Sequence, residues 1–259
     1  MAAFWKRSRP SNTWAQALQP GSSDPVGWLD DRMLAPDLTR GVRVGDVLPT
    51  GFDAYVRIMH PVTTRDGPTT WAVIAEQTGR VAHPRMQWQA IAYPAQGREP
   101  PAVTGDGPAQ GVFPLDLMTN LIDILSIHTS TPETTHFTVA AGTPGLPDSA
   151  TATIDHGGRP HLLFVADLSA GTRAFVLDPT GEPVDPHVSP HLWWPDDHAW
   201  VVATDVDFRS TMVAAPRACA DQIVADPTFE TFEVGVDDRA DLGGDDRNPL
   251  PPPLAHLFS

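Results

Sequence analysis

The chain has one cysteine, Cys219, and one lysine, Lys6. A single thiol cannot form a disulfide within the chain, so the fold does not depend on an oxidised scaffold. No stretch approaches the roughly 20 apolar residues that a membrane-spanning helix requires. The first ten residues are basic, but no apolar run follows them, so they lack the pattern of a secretory signal. These absences predict a cytoplasmic protein.

Basic residues are also scarce, with 17 Lys and Arg against 32 Asp and Glu, which gives a formal net charge of -15. A field of this sign repels phosphate backbones and anionic lipid headgroups. We therefore expect neither a nucleic-acid partner nor a membrane partner.

Common catalytic and nucleotide-binding motifs are absent. The sequence contains no GxxxxGK[ST] loop, no glycine-rich turn placed between a strand and a helix, and no GxSxG nucleophile elbow. Cys219 stands between two alanines in a predicted helix, which is typical of a buried, inert thiol. The sequence predicts no cofactor and no metal, and it leaves open whether the protein is an enzyme.

The pattern of apolar residues predicts an α+β domain. The 28 prolines favour many loops and short elements. An apolar helix is predicted from Pro114 to Ile127, and short β-rich runs joined by tight turns follow it, which favours antiparallel neighbours. We expect a mainly antiparallel sheet packed by this one helix, with short peripheral helices.

Smaller elements follow from local signals. Residues 52–60 alternate as a half-buried strand, and a short helix is predicted between a capping Thr70 and a terminating Gly79. A second short helix is predicted over residues 216–226. The remaining strand predictions cover residues 136–141, 161–166, 173–177, 199–207 and 229–236.

Three regions are predicted along the chain. Residues 1–45 form an irregular N-terminal arm on the surface, anchored by Trp14, Trp28 and Leu34. Residues 46–236 form a single α+β globular domain. Residues 237–259 form a disordered, acidic, proline-rich tail, whose proline run at 249–254 is alternatively a polyproline-II ligand for a partner.

Segment 191–208 concentrates tryptophan and aspartate beside one clear strand pattern. Strand alternation puts Asp205 and Asp207 on one face about 6.6 Å apart, where they can share a divalent ion or divide acid and base roles. Arg209 on the same face favours a simpler interpretation, an ion-paired strand end. The two faces are Trp200, Val202, Thr204, Val206 and Phe208 on one side, and Ala199, Val201, Ala203, Asp205, Asp207 and Arg209 on the other.

Trp193 and Trp194 are adjacent, so in an extended chain they point to opposite sides. An exposed tryptophan beside carboxylates suits a cationic or aromatic ligand or a protein hot spot. The alternative is that both are buried, one in each of two packed layers.

Five histidines lie in the second half of the chain, and the spacing of two of them matches two ligands on one helix face. Prolines interrupt that segment, however, and the pattern matches no zinc motif. The five are His156, His161, His187, His191 and His198, of which His187 and His191 are four apart.

Three segments carry a resemblance to known sequences. They read LPTGFDAYVRIMHP at 48–61, LWWPDDHAWVVATDVD at 192–207 and RACADQIVADP at 217–227. Together they resemble an uncharacterised family of actinobacterial proteins, over about residues 45–236. The family has no established activity, so the resemblance implies a bacterial protein but no site residue.

The aromatic and acidic surfaces, without a catalytic motif, predict a soluble, non-catalytic binding or regulatory protein that acts through a protein partner. The candidate binding residues are Trp193, Trp194, Asp205 and Asp207. The alternative is a divalent-metal-dependent hydrolase that uses Asp205 and Asp207 with His191 or His198.

Overall fold

A large antiparallel sheet forms the centre of the structure, a computed structural model that describes residues 18–22, 26–34, 39–143, 152–174 and 188–255. The strands are β1 (Gln19–Pro20), β2 (Ala54–Met59), β3 (Val62–Thr64), β4 (Gly67–Thr69), β5 (Thr135–Ala140), β6 (Thr153–His156), β7 (Arg159–Ala166), β8 (Leu192–Pro195), β9 (Val201–Ala203), β10 (Ser210–Ala215) and β11 (Glu230–Val234). Nine of these strands form the main sheet in the order β1-β7-β5-β8-β9-β10-β2-β11, with β6 also paired to β7. Strands β3 and β4 form a separate hairpin.

Short helices surround the sheet. They are α1 (Gly27–Asp30), α2 (Val44–Val47), α3 (Trp71–Thr78), α4 (Trp88–Ile91), α5 (Leu115–Ser126), α6 (Ala170–Ala174), α7 (Arg217–Ala225) and α8 (Pro252–Ala255), with a 3-10 turn at Leu242–Gly244. None of the helices in the described ranges is long and apolar enough to cross a membrane.

Local sequence explains where several helices begin and end. Thr70 Oγ1 accepts the Val73 N–H at 3.3 Å, and Gly79 ends α3 with a left-handed φ of 70°, so the predicted caps of this helix are confirmed. Pro114 and Pro216 stand at the N-caps of α5 and α7, where a missing backbone donor costs nothing.

One face of the sheet is covered by two helices. Buried residues of α5 and α7 pack with residues from the sheet strands in a single apolar cluster; it includes Leu117, Met118, Leu121, Cys219, Ile223, Val56, Phe137, Trp193, Trp200 and Val213. The predicted antiparallel sheet with short helices is confirmed, but α7 shares this face with the apolar helix α5.

The opposite face is covered by the N-terminal segment. Val26 and Leu29 near α1, and Val44 and Val47 of α2, belong to a second apolar cluster beneath the sheet. Parts of the predicted surface arm therefore belong to the hydrophobic core. Trp14 lies outside the described residues, and the proposed limits of the arm and the domain stay a prediction.

Part of the acidic C-terminal segment packs against the rest of the domain, and the predicted disorder of residues 237–259 stays a prediction. Ala240 and Asn248 are buried, and the side chain of Asp241 accepts N–H groups from Gly243 and from Val42. Asp241 therefore binds backbone amides and does not simply face solvent. Pro252–Ala255 is helical, so the extended form predicted for residues 249–254 is wrong in that part.

The strand predicted over residues 52–60 exists as β2 but is not half-buried, and two other strand predictions are wrong in type or in length. Strand β2 is buried along its whole length, because both sheet faces are covered. Arg173 and Ala174 end helix α6, and residues 175–177 lie outside the described ranges. The strand predicted over residues 199–207 is restricted to Val201–Ala203.

Candidate functional site

Trp193 and Trp194 are both buried, at 1% and 0% exposure. Trp193 stacks on Phe137 at 6.0 Å within the layer under α5 and α7, whereas Trp194 belongs to the cluster on the other face. The hypothesis of an exposed tryptophan is therefore wrong. The two-layer alternative matches the structure, because β8 is an interior strand with both faces covered.

His198 joins an aromatic stack at one end of β9. Its ring lies 4.0 Å from Trp28, whose ring contacts the edge of Trp194 at 6.4 Å. His198 precedes the start of β9, and Asp205 follows its end. The strand therefore separates His198 from the aspartate pair.

The two aspartates lie on a tight loop that follows β9. The Asp207 N–H donates to Asp205 Oδ1 at 2.8 Å, and the Phe208 N–H donates to the Asp205 carbonyl at 3.0 Å. The loop ends the strand alternation, so Phe208 packs with the cluster that contains Val201, on the face opposite to the predicted one.

Arg209 is not the partner of the aspartate pair. Its guanidinium donates to the Pro108 carbonyl. Asp207 instead pairs with Arg159 of β7, with Nη2 and Oδ2 2.8 Å apart. The strand end is therefore ion-paired, but the predicted base Arg209 is wrong and Arg159 takes its place.

Gly111 packs against the backbone of this loop and supports it. Its N–H donates to the Phe208 carbonyl at 2.8 Å, its φ is +68°, and a Cβ there would lie 2.7 Å from the Val206 carbonyl oxygen. Only glycine permits both this conformation and this approach.

Replacing Gly111 with alanine should therefore destabilise the protein and displace the loop. We expect a loss of about 2 to 3 kcal/mol, from left-handed strain plus the clash with backbone. Gly97→Ala is the matched control, because Gly97 also has a positive φ, of 80°, but has no atom within 4 Å of its Cβ position. Chemical denaturation measures both, and equal losses would contradict the supporting role.

A cleft of about 490 Å³ opens beside the loop. Four aspartates and one arginine line it, so negative charge dominates. The lining consists of Gly41, Val42, Asp46, Val47, Gly157, Gly158, Arg159, Asp205, Asp207, Phe208 and Asp241.

Asp205 differs from the other acids of the cleft. Asp46 pairs with Arg43, Asp207 with Arg159 and Asp241 with Arg239. Asp205 forms no salt bridge with any residue that the structure describes, and burial raises the pKa of its carboxyl group. The charge of Arg159 opposes this shift, but no base among the described residues forms a salt bridge with Asp205.

Three histidines cluster behind Asp205. The His161 ring lies 5.6 Å from that of His156 and 5.4 Å from that of His191, and all three are buried. Burial lowers the pKa of His156 to about 3 and that of His191 to about 4, with neighbouring histidines adding to both shifts. The cluster is therefore neutral at neutral pH.

The hydrogen bonds of the cluster assign its tautomers. His161 Nδ1 lies 2.9 Å from the Arg159 carbonyl, which only accepts, so Nδ1 carries the proton. His191 Nδ1 accepts the Ala140 N–H at 2.9 Å, so its neutral ring is protonated at Nε2. His156 Nε2 is buried without a partner among the residues described.

Within the described ranges, no group of three or more His, Cys, Asp or Glu side chains is arranged to hold a metal ion. His187 lies outside those ranges, so its spacing to His191 has no structural counterpart here. The metal-dependent hydrolase stays a prediction.

Sequence reasoning missed most of the cleft. Arg159, Val42 and Asp46 received no role, and Asp241 was assigned to a disordered tail. One signal was available, because the glycine pair 157–158 predicts a hairpin that places Arg159 at a turn. The contacts between distant segments left no local signal.

No family model, no curated protein and no solved structure matches the chain. The resemblance to an actinobacterial family stays a prediction.

Proposed function

We propose that the chain is a non-catalytic binding protein whose acidic cleft accepts a basic side chain from a protein partner. Asp205 is the observation that carries the proposal, since it lies partly buried in the cleft and lacks a salt bridge within the described structure. A guanidinium or ammonium group from a partner would supply the missing opposite charge at a site where water screens it poorly.

The walls of the cleft favour a long basic side chain. Phe208 offers an aromatic ring to a cation, and Val42 offers apolar surface to the methylene stem of arginine or lysine. The net charge of -15 also draws basic partners towards the surface and speeds their encounter.

The proposal is tested with an acetylated, amidated triarginine peptide, measured by calorimetry in about 0.15 M salt, where exposed charges are largely screened. We expect binding of triarginine and none of the uncharged isostere tricitrulline. Asp205→Asn should weaken binding about tenfold, equivalent to about 1.4 kcal/mol. Absence of triarginine binding to the native chain would overturn the proposal.

Asp123→Asn is the matched control variant. Asp123 is exposed on α5, on the helix-covered side of the sheet away from the cleft, and the substitution changes the net charge by the same amount. Its affinity should stay within about twofold of native, because a distant exposed charge is screened. Equal losses in both variants would show that the peptide responds to overall charge and not to the cleft.

A further inference from the structure

We propose that the cleft binds its basic ligand at neutral pH and releases it on acidification, because a proton on the histidine cluster competes with the ligand for Asp205. This inference rests on the proposed function and adds a mode of regulation to the same site. It is carried by the position of the cluster behind the cleft.

The cluster and the cleft share one hairpin. His156 ends β6, the turn at Gly157 and Gly158 lines the cleft, and His161 follows in β7. A Cβ at Gly157 would lie 3.7 Å from Asp205 Oδ2, so the carboxylate lies against this turn. His161, with its ring between those of the other two histidines, is the member whose charge acts on Asp205.

Few charges face His161. They are His156 and Asp155 of β6, Arg159 of its own strand, His191 before β8, and Asp205 after β9. Burial lowers the pKa of His161, and its hydrogen bond to the Arg159 carbonyl and the charges of Asp205 and Asp155 oppose this shift. Asp155 is exposed, so Asp205 is the partly buried acid that balances a proton on His161.

The cluster holds one proton most easily. Nδ1 of neutral His161 already carries hydrogen, so the added proton goes to Nε2. A charged His161 then repels a second proton from His156 and His191, because its charge is one of the causes that lower the pKa of both. One positive charge therefore appears behind Asp205, where the ligand supplies its own positive charge from the other side.

Competition between the two charges is reciprocal. If a proton on His161 weakens ligand binding, the bound ligand must lower the pKa of His161. The free energy of this shift equals the free energy of binding that the proton removes. Coupling between sites of this kind typically changes affinity by about 5-fold or more. Arginine does not titrate in this range, so the pH dependence belongs to the protein.

The binding experiment compares triarginine affinity at pH 7.5 and pH 5.5 for the full chain, with circular dichroism to confirm folding. We expect affinity to fall about 5-fold or more at pH 5.5. The His161→Gln variant, which cannot take up the proton, should bind triarginine with equal affinity at both pH values. His128→Gln, a matched change on a partly exposed histidine bonded to Gln222, should keep the native dependence.

Histidine NMR provides a second measurement that requires no variant. Saturating triarginine should lower the pKa of His161 in the native chain, and tricitrulline should leave it unchanged. Binding at pH 7.5 that changes less than about twofold at pH 5.5 would overturn the inference and leave the proposed function standing. Persistent pH dependence in His161→Gln, or a His161 pKa unaffected by triarginine, would also overturn it. No binding at pH 7.5 would overturn both proposals.

Discussion

Between pH 7.5 and pH 4.5 we expect the free energy of unfolding to fall by more than about 3 kcal/mol, because histidines that are buried and neutral in the folded chain take up protons when it unfolds. Burial lowers the pKa of His60 and that of His191 to about 4, and that of His156 to about 3, from 6.5. Over this interval each histidine contributes about 3 kcal/mol at most, because pH 4.5 lies about two units below the unfolded pKa of 6.5. Typical domains are stable by about 5 to 15 kcal/mol, so the loss is large.

The sign follows from the folded and unfolded pKa values. Above pH 6.5 these histidines are neutral in both states and the full stability is present. Between pH 6.5 and about 4 the unfolded chain binds more protons, so acidification favours unfolding. Asp205 and Glu230 act in the opposite direction, since burial raises the pKa of both acids, but they only partly offset the loss.

Urea unfolding at pH 7.5 and pH 4.5 measures this effect. His156→Asn should lose less stability than the native chain across the interval, because an amide takes up no proton. His128→Asn should lose as much as native, since that ring is partly exposed. A native chain equally stable at both pH values would contradict the neutral, buried state of these histidines.

Local signals predicted the parts of the fold that depend on neighbouring residues. The helix between Thr70 and Gly79 is specified by its own caps. Strand β10 was missed because all six of its residues are buried, so it lacks the alternation that reveals a half-buried strand. Similarly, the local sequence left open whether Trp193 or Trp194 is exposed, and only the coverage of both faces of β8 shows that both are buried.

The candidate site was predictable only in part. The loop with Asp205 and Asp207 was identified, but its partner Arg159 lies 48 residues away, and Asp241 reaches the cleft from a segment that looked disordered. A carboxylate in an acidic sequence is normally solvated. Only the tertiary fold shows which aspartates have buried partners.

Asp245 is the clearest case of an acid whose role the sequence conceals. Its carboxylate accepts from His83 Nε2 at 2.8 Å, a residue 162 positions away, and from the backbone N–H of Gln87 at 3.0 Å. The side chains of His83 and Asp245 are 3% and 0% exposed. Burial lowers the pKa of Arg57 to about 10, and the charge of Asp245 counteracts that shift.

Asp245→Ala is therefore expected to cost about 3 to 5 kcal/mol, since it leaves buried polar partners without their acceptor. The adjacent Asp246→Ala makes the same charge change but removes only an exposed pair with Arg85, in which Asp246 is 56% exposed. That variant should cost less than about 1 kcal/mol. Chemical denaturation of both variants at neutral pH gives the comparison.

The adjacent pair of variants distinguishes two roles for the C-terminal segment. A tethered, solvated tail would lose equally little from either substitution, because neither aspartate would have a buried partner. A segment that completes the core loses its attachment only with Asp245, since His83 and the Gln87 backbone N–H then lose their acceptor and the buried guanidinium of Arg57 loses a nearby negative charge. Small, equal losses would contradict the packed arrangement, whereas a difference of several kcal/mol would make residues 237–248 part of the folded domain.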